Sequence, residues 1–318
     1  MAYPQKKVVV IGAGSVGTAY IYALLPRGVA GEIALIDVDQ NRVEGEVLDL
    51  SHGLPFIPPV TIKKGDYSDC ANADIIVVTA GARQQPGQSR LDLIQKNARI
   101  VRSICRQIAE QESSAILVMV TNPVDALTYV ALKELQWEPR RVVGSGTVLD
   151  SARFKYLLSR HCKIDARNVH AYILGEHGDS EVAAWSMTHI AGVSVNEYCR
   201  ICKSCDYDDH HHRIAEEVRN SAYHIIDYKG SAYYGIGLSL VRITEAMLRN
   251  EHSILTVSSL LDGQYGIEDV CLSVPTIVGD GGIELIIDAE LTSEELIALR
   301  ASAAAIRNVL DQLEDKPV

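Results

Sequence analysis

The stretch Val8-Val9-Val10-Ile11-Gly12-Ala13-Gly14-Ser15-Val16-Gly17 sets the reading of this chain. A short apolar run bounded by glycine reads as a strand buried on both faces. The alanine-, leucine- and tyrosine-rich segment 18–25 after it reads as a helix. Between them each glycine has its own task. Gly12 permits the tight turn, Gly14 lets a pyrophosphate approach the backbone, and Gly17 lets the helix pack closely on the strand. The pyrophosphate then rests on unpaired N–H groups at the helix N-terminus. Alone, such a pattern is a weak signal. Asp37, about 20 residues after Gly17 and at the end of a second apolar run, 32–37, strengthens it. A carboxylate there accepts from both ribose hydroxyls and repels a 2′-phosphate, which favours NAD over NADP.

Further short β-branched runs follow at 74–79 and 115–121, with a helical stretch at 90–112 between them. Strands alternating with helices at this spacing predict an α/β chain, a Rossmann doubly wound parallel sheet. After about residue 146 the rhythm changes to α+β. Residues 150–160, 212–228 and 233–249 read as helices, and 170–175 and 182–190 as strands. The runs 254–261 and 269–278 read as paired strands turning at Asp262-Gly263. Thr292-Ser293-Glu294-Glu295 has the form of a capping box opening a C-terminal helix. The expectation is a dinucleotide domain over 1–146 and a catalytic, substrate-binding domain over 147–318. With no low-complexity linker, the two should share an extensive interface.

The 318 residues suit two domains of roughly 150 each. With 47% hydrophobic and 22% charged residues, the composition is that of a globular protein rather than a disordered one. The net charge of −11 repels a large polyanion, and basic residues come only as pairs (Lys6-Lys7, Lys63-Lys64, Arg140-Arg141). Neither nucleic acid nor an anionic membrane is expected as a partner, and no apolar run nears the roughly 20 residues a membrane span needs. Seven cysteines, an odd number and mostly isolated, argue against a disulfide framework and for a reducing cytoplasm. Cys199, Cys202 and Cys205, before His210-His211-His212, have ligand-like spacing but lack the second half of a structural zinc pattern. Reduced surface thiols are expected there, and no metal.

Gly175-Glu176-His177-Gly178-Asp179-Ser180 sets one histidine in a glycine-flanked turn. Oxidising a hydroxyl by hydride transfer needs a base for the O–H proton, and histidine titrates nearest neutrality. A lone loop histidine serves structure as readily. Asp150 and Arg153 add weight, since three residues apart on a helix they share a face. The aspartate can orient an imidazole, and the arginine can grip a carboxylate with two parallel hydrogen bonds. The bland alternative is a surface ion pair worth a few tenths of a kcal/mol. The Gly-, Pro- and Gln-rich segment 81–90 has the profile of a lid, and Asn122 ends the run 115–121 where its amide can turn into the same crevice.

GAGSVG (12–17), TAGARQQPGQSRLDL (79–93), VTNPVD (120–125), GSGTVLDSARF (144–154), LGEHGDS (174–180) and KGSAYYGI (229–236) stand in this order along the chain. Together they resemble the L-lactate dehydrogenase family, which shares its fold with a branch of malate dehydrogenases. The resemblance covers nearly the whole chain. It implies reversible hydride transfer between NADH and pyruvate, with His177 as acid and base and Asp150 as its partner. Arg153 would bind the substrate carboxylate, Arg90 on the lid would polarise the carbonyl, and Asn122 would contact substrate. The NAD site would comprise Gly12, Gly14, Val16, Gly17, Asp37, Arg42, Tyr67, Gly81, Ala82, Ser103, Asn122 and Ser145.

Gln84 falls at the family's substrate-discriminating position. A neutral amide cannot partner the second carboxylate of oxaloacetate, so it points away from malate dehydrogenase. Ala232 departs from the family pattern, where a threonine lines the side-chain pocket. A broader 2-hydroxy acid dehydrogenase taking larger 2-oxo acids is therefore an alternative. Lys155 stands where an arginine is usual at the family's fructose 1,6-bisphosphate site, and His170 matches, so this effector is an option with a weaker, non-bidentate cation. The resemblance implies a homo-oligomer, a tetramer by expectation. A non-catalytic NAD-binding protein is disfavoured by Arg90, Asp150, Arg153 and His177 occurring together.

Overall fold

Strand β1 (Lys7–Ile11) is buried along its length, and its residues divide between two cores. Val8 and Val10 pack with Ile33, Leu35, Ile75 and Val77. Val9 and Ile11 pack with Ala34, Ile36, Ile76 and Val78. This is the period-two alternation of a strand covered on both faces, which is why the run reads as continuously apolar. The computed structural model describes residues 6–82, 89–202 and 207–313, without the side chains at 90, 202, 207–210 and 212. Gln84 and Cys205 lie outside the described residues, as do the side chains of Arg90, Cys202, His210 and His212.

β1 is flanked by β2 (Glu32–Ile36) and β4 (Ile75–Val78), both parallel to it. With β3 (Thr61–Lys64), β5 (Ile116–Met119) and β6 (Val142–Gly144) the parallel order is β3-β2-β1-β4-β5-β6. The order reverses between β1 and β4, which opens a crevice at the carboxyl ends of these strands. The connecting helices are α1 (Ser15–Leu24), α2 (Gln40–His52), α3 (Arg90–Ala109), α4 (Val124–Leu135) and α5 (Val148–Cys162). Helix α1 starts inside the glycine pattern, three residues before the expected Thr18, because Gly14 is its N-cap.

The later half follows its expected rhythm with four strands broken. Instead of one strand over 170–175, β7 (Val169–His170) and β8 (Ile173–Leu174) form separately. The start of α5 meets β8 at Ile173: Oγ1 of Thr147, the helix N-cap, donates to the Ile173 carbonyl, and Ser151 Oγ accepts its N–H. The run 182–190 likewise divides into β9 (Val182–Ala183) and β10 (His189–Ile190), and β11 (Val193–Ser194) pairs with β10. The runs 254–261 and 269–278 each change sheet midway. β12 (Ser253–Leu255) and β15 (Thr276–Gly279) join β16 (Gly282–Ile286) in a small sheet, while β13 (Ser258–Asp262) and β14 (Glu268–Ser273) form an antiparallel hairpin. That hairpin extends the large sheet beyond β6 through the pairing of Ser258 with Gly144. Helices α6 (Val195–Cys202), α7 (Tyr207–Lys229), α8 (Tyr234–Leu248) and α9 (Ser293–Asp311) complete the described elements. α9 opens on the expected capping box, Thr292 Oγ1 accepting from Glu295 N and Glu295 Oε2 from Thr292 N.

The two halves meet directly. α8 lies on α1, where Tyr20 and Thr244 share a buried hydrogen bond of 2.7 Å. Arg27 grips the buried Glu245 through two 2.9 Å bonds. Gly237 is what permits this approach, since a Cβ there would lie 3.0 Å from the backbone of Ala19. Replacing Gly237 with valine is expected to overpack the contact by about 1–3 kcal/mol. Calorimetry should show a lowered Tm, and an unchanged Tm would mean that the helices are free to separate.

Candidate active site

The carboxyl ends of the parallel strands carry the expected cofactor residues. Gly12 follows β1, Asp37 follows β2, Gly81 follows β4, Asn122 follows β5 and Ser145 follows β6. Gly12 has φ +119°, and a Cβ there would stand 2.6 Å from Ala80 N. A Cβ on Gly17 would collide with the Gly12 carbonyl. Around Gly14 there is open space, with no atom within 4 Å of an added Cβ, and Gly14 gives α1 no side-chain cap. The helix N-terminus therefore faces a gap that suits an anion. Asp37 is fixed beside it, accepting from Ala13 N at 2.7 Å and Asp39 N at 3.0 Å. Each carboxylate oxygen keeps lone-pair capacity for a ribose hydroxyl. The chain thus fits a dinucleotide without rearranging these groups.

The remaining cofactor positions differ in how closely they join this cradle. Val16 is half-buried on α1, and Arg42 lies exposed in the first turn of α2. Tyr67 sits in a short turn after β3 and meets Gln107 of α3. Ser103, exposed on α3, is one turn from Gln107, and its backbone carbonyl accepts from Gln107 Nε2. Ala82 N donates at 2.8 Å to Asn97 Oδ1, and Asn97 Nδ2 donates at 3.0 Å to the Asn122 carbonyl. Buried Asn97, which the sequence reading passed over, thereby ties two cofactor-side loops together.

The catalytic candidates gather around one carboxylate. Asp150 lies in the first turn of α5, its side chain only 2% exposed. Its Oδ2 meets His177 Nδ1 at 2.5 Å, and its Oδ1 accepts from Arg153 Nη1 at 2.5 Å. The three residues expected to act together are thus brought together. The Asp150–Arg153 pair is not the surface ion pair of the bland alternative, because the aspartate is buried. With Nδ1 engaged, Nε2 is the histidine atom left to exchange a proton with a ligand, and the side chain is 27% exposed. Burial works against a charged imidazole, but the Asp150 carboxylate outweighs it and, with Asp125, raises His177 to about 9. Burial likewise opposes ionisation of Asp150, yet His177 and Arg153 hold it below the usual carboxylate range.

The histidine loop is held from several elements. His177 N donates at 2.8 Å to Asp125 of α4, and Glu176 N donates at 2.7 Å to Ser302 of α9. Tyr223 of α7 donates to Asp179 at 2.6 Å. Gly175, with φ +91°, exchanges backbone bonds with Ser273 of β14. Asp125, Tyr223, Ser273 and Ser302 were not singled out in the sequence. Asp125 stood within the quoted motif 120–125, and the others had no visible spacing to the loop. Glu181 is a further buried carboxyl beside the cluster, pushed up to about 8 by burial and by Asp150.

Asn122 is exposed and Ala232 is half-exposed two residues before α8. Lys155 is half-buried, 5.6 Å from the Tyr172 ring centre, and burial lowers its pKa. His170 lies in β7 and lines a hollow with Arg167, Asn168 and Tyr198, a lining that does not include Lys155. Among the described residues no cluster of histidine, cysteine or carboxylate side chains could hold a metal.

Residues 6–144 match the family model for the lactate/malate dehydrogenase NAD binding domain, and residues 147–316 match that for its alpha/beta C-terminal domain. The chain belongs to the lactate/malate dehydrogenase family. It is 55% identical to an L-lactate dehydrogenase of Treponema denticola, over 97% of this chain and 98% of that protein. It is 52% identical to an L-lactate dehydrogenase of Acetivibrio thermocellus, over 97% and 98% of the two chains. The crystal structure of a minor L-lactate dehydrogenase from Enterococcus mundtii in its ligands-bound form superposes with a TM-score of 0.95 at 43% identity, covering 98% of this chain and 99% of that one. The family's dinucleotide is NAD, and the open space at Gly14 lies where its pyrophosphate would approach. A Gly14→Ala variant should keep its Tm, because the methyl meets no protein atom, while the Kd for NADH rises at least about tenfold. Unchanged NADH affinity by fluorescence titration would place the pyrophosphate elsewhere.

Proposed function

We propose that the chain is an NAD-dependent L-lactate dehydrogenase, interconverting pyruvate plus NADH and a proton with L-lactate plus NAD⁺. The observation that carries this reading is the single buried carboxylate of Asp150, shared by a proton-transfer group, His177, and an anion-binding group, Arg153. An acid/base beside a guanidinium fits a substrate bearing a carboxylate next to a reacting carbonyl. Bound NADH supplies the hydride to C2 of the oxo acid. His177 Nε2 donates its proton to the oxygen as the C–O bond becomes an alcohol, and takes it back in the reverse direction. Asp150 keeps the imidazole in one orientation and balances its charge. Arg153, with one nitrogen on Asp150, has the rest of its fork for the substrate carboxylate.

By family resemblance Arg90 and Gln84 act from the lid, Arg90 on the carbonyl and Gln84 as the neutral group that disfavours oxaloacetate. The division of labour follows the chain, residues 1–146 holding NAD and 147–318 supplying His177 and Arg153. Exposed apolar side chains such as Tyr22, Phe56, Tyr234 and Leu238 support assembly with further copies, and the family pattern suggests a tetramer. Fructose 1,6-bisphosphate near Lys155 and His170 is the effector to try. No described helix is long and apolar enough to cross a membrane, and the buried, reduced Cys70, Cys105 and Cys271 fit a cytoplasmic setting.

Reduction requires protonated His177, whose pKa is raised to about 9. Pyruvate reduction should therefore hold through neutral pH and fall as pH rises through about 9, while lactate oxidation rises over the same interval. A His177→Asn variant should lose at least about 100-fold in kcat for pyruvate and still bind NADH. Wild-type rates that favour oxaloacetate over pyruvate, or a fully active variant, would sink the assignment.

Ala232 supports the second reading, a pocket open to larger 2-oxo acids. In a kinetic series, 2-oxobutyrate and 2-oxoisocaproate should keep a greater share of the pyruvate kcat/KM in wild type than in an Ala232→Thr variant. A steep preference for pyruvate in both proteins would count against it.

A further inference from the structure

Asp125 is fully buried in the first turn of α4, three residues after Asn122. Its Oδ2 accepts the His177 N–H at 2.8 Å, and its Oδ1 accepts from Ser273 Oγ at 3.3 Å. The backbone of the histidine is thus held by one carboxylate and its ring by another. The two come from different helices, Asp125 from α4 and Asp150 from α5. We propose that Asp125 is a positioning residue for the reaction, fixing the His177 backbone relative to Asn122 and placing a second buried negative charge beside the imidazole. This rests on the reading of the chain as a lactate dehydrogenase.

The chemistry of the pair separates this role from plain scaffolding. A backbone N–H needs only a neutral acceptor, which an asparagine or a serine supplies without the cost of burying a charge. A carboxylate at this depth brings a charge that the hydrogen bond alone does not require. Burial pushes Asp125 up to about 6, which leaves it mostly ionised at neutral pH, although among the described residues no lysine or arginine forms an ion pair with it. The cation that favours its ionised form is the His177 imidazolium.

Other groups around the loop set the background. Asp150 and Arg153 face His177 from α5, and Glu176, Asp179 and Glu181 share its own segment. Arg219 of α7 acts on Glu181, Tyr223 of α7 holds Asp179, and Ser302 of α9 is neutral. Cys271 of β14, near Asp125, stays a thiol because burial raises its pKa strongly. Arg153 opposes protonation of His177, so Asp125 and Asp150 act in the same direction against it.

The test compares pH profiles of kcat/KM for pyruvate in wild type, Asp125→Asn and Asp125→Glu. The asparagine keeps an acceptor and removes the charge. Its turn-down should move to lower pH by about half a unit or more, so that the loss relative to wild type is at least about 1.5-fold greater at pH 8.5 than at pH 6. The glutamate keeps the charge and disturbs the His177 N–H contact. It should lower kcat at least fivefold with the turn-down near its wild-type position. The binding of oxamate, an unreactive pyruvate isostere, to each protein's NADH complex should follow the same displacement without turnover. A turn-down at the wild-type pH in a folded asparagine variant would overturn the proposal, as would full activity of the glutamate variant at every pH. If wild type fails to reduce pyruvate at all, the functional reading falls and this inference with it. A wild type that reduces pyruvate beside variants that behave like it overturns this inference alone.

Discussion

The arrangement of this molecule turns on the buried carboxylate of Asp150. Removing such a group from water costs several kcal/mol, and only well-placed partners offset that. Here one oxygen takes an imidazole nitrogen and the other a guanidinium nitrogen, both at 2.5 Å. Charge-assisted bonds of this kind are roughly twice as strong as neutral ones. Taking away either partner leaves the carboxylate with one of its two compensating bonds, and breaking a buried pair costs about 3–5 kcal/mol. The carboxylate therefore does more than orient a histidine. It ties the His177 imidazole and the Arg153 guanidinium to one anchor, so that the two stay side by side.

This constraint explains much of the later half of the chain. Thr147, the N-cap of α5, and Ser151, beside Asp150 on that helix, take the backbone groups of Ile173 and so dock β8 against the start of α5. The chain then turns at Gly175, where a Cβ would lie 2.7 Å from Ser302 Oγ, and delivers His177 to Asp150. The loop bonds to α4, α7, α9 and β14 hold that delivery in place. The first half works by a similar economy. The glycines bring α1 close to β1, and Asp37 braces the turn between them.

The sheet and the dinucleotide cradle were legible because they follow from local rules. Buried parallel strands need uninterrupted apolar runs, and the glycine turn admits few alternatives at Gly12 and Gly17. The capping box at Thr292 was legible for the same reason, since its partners are three residues apart. What the sequence hid was long-range. Strands β3 and β6 are short or half-polar, and each pairs with a strand 25 or more positions away. The runs 254–261 and 269–278 look continuous because apolar alternation does not record a change of sheet. Asp150 and Arg153 announced themselves by helical spacing, whereas Asn97, Asp125 and Ser302 act across 15 to 126 positions of sequence. A buried polar side chain of that kind declares its partner only after folding.

The hairpin of β13 and β14 belongs by sequence to the later half, yet it closes the edge of β6 in the early one. During synthesis, β6 emerges more than a hundred residues before Ser258, the residue that pairs with Gly144. Until then the nascent sheet ends in unpaired backbone groups, the feature that invites strand pairing between neighbouring chains. An early half released alone would keep that open edge, along with an α1 surface lacking α8. The two halves are therefore separable by function but not by birth. The dinucleotide fold reaches its finished border only when the far end of the polypeptide returns to seal it.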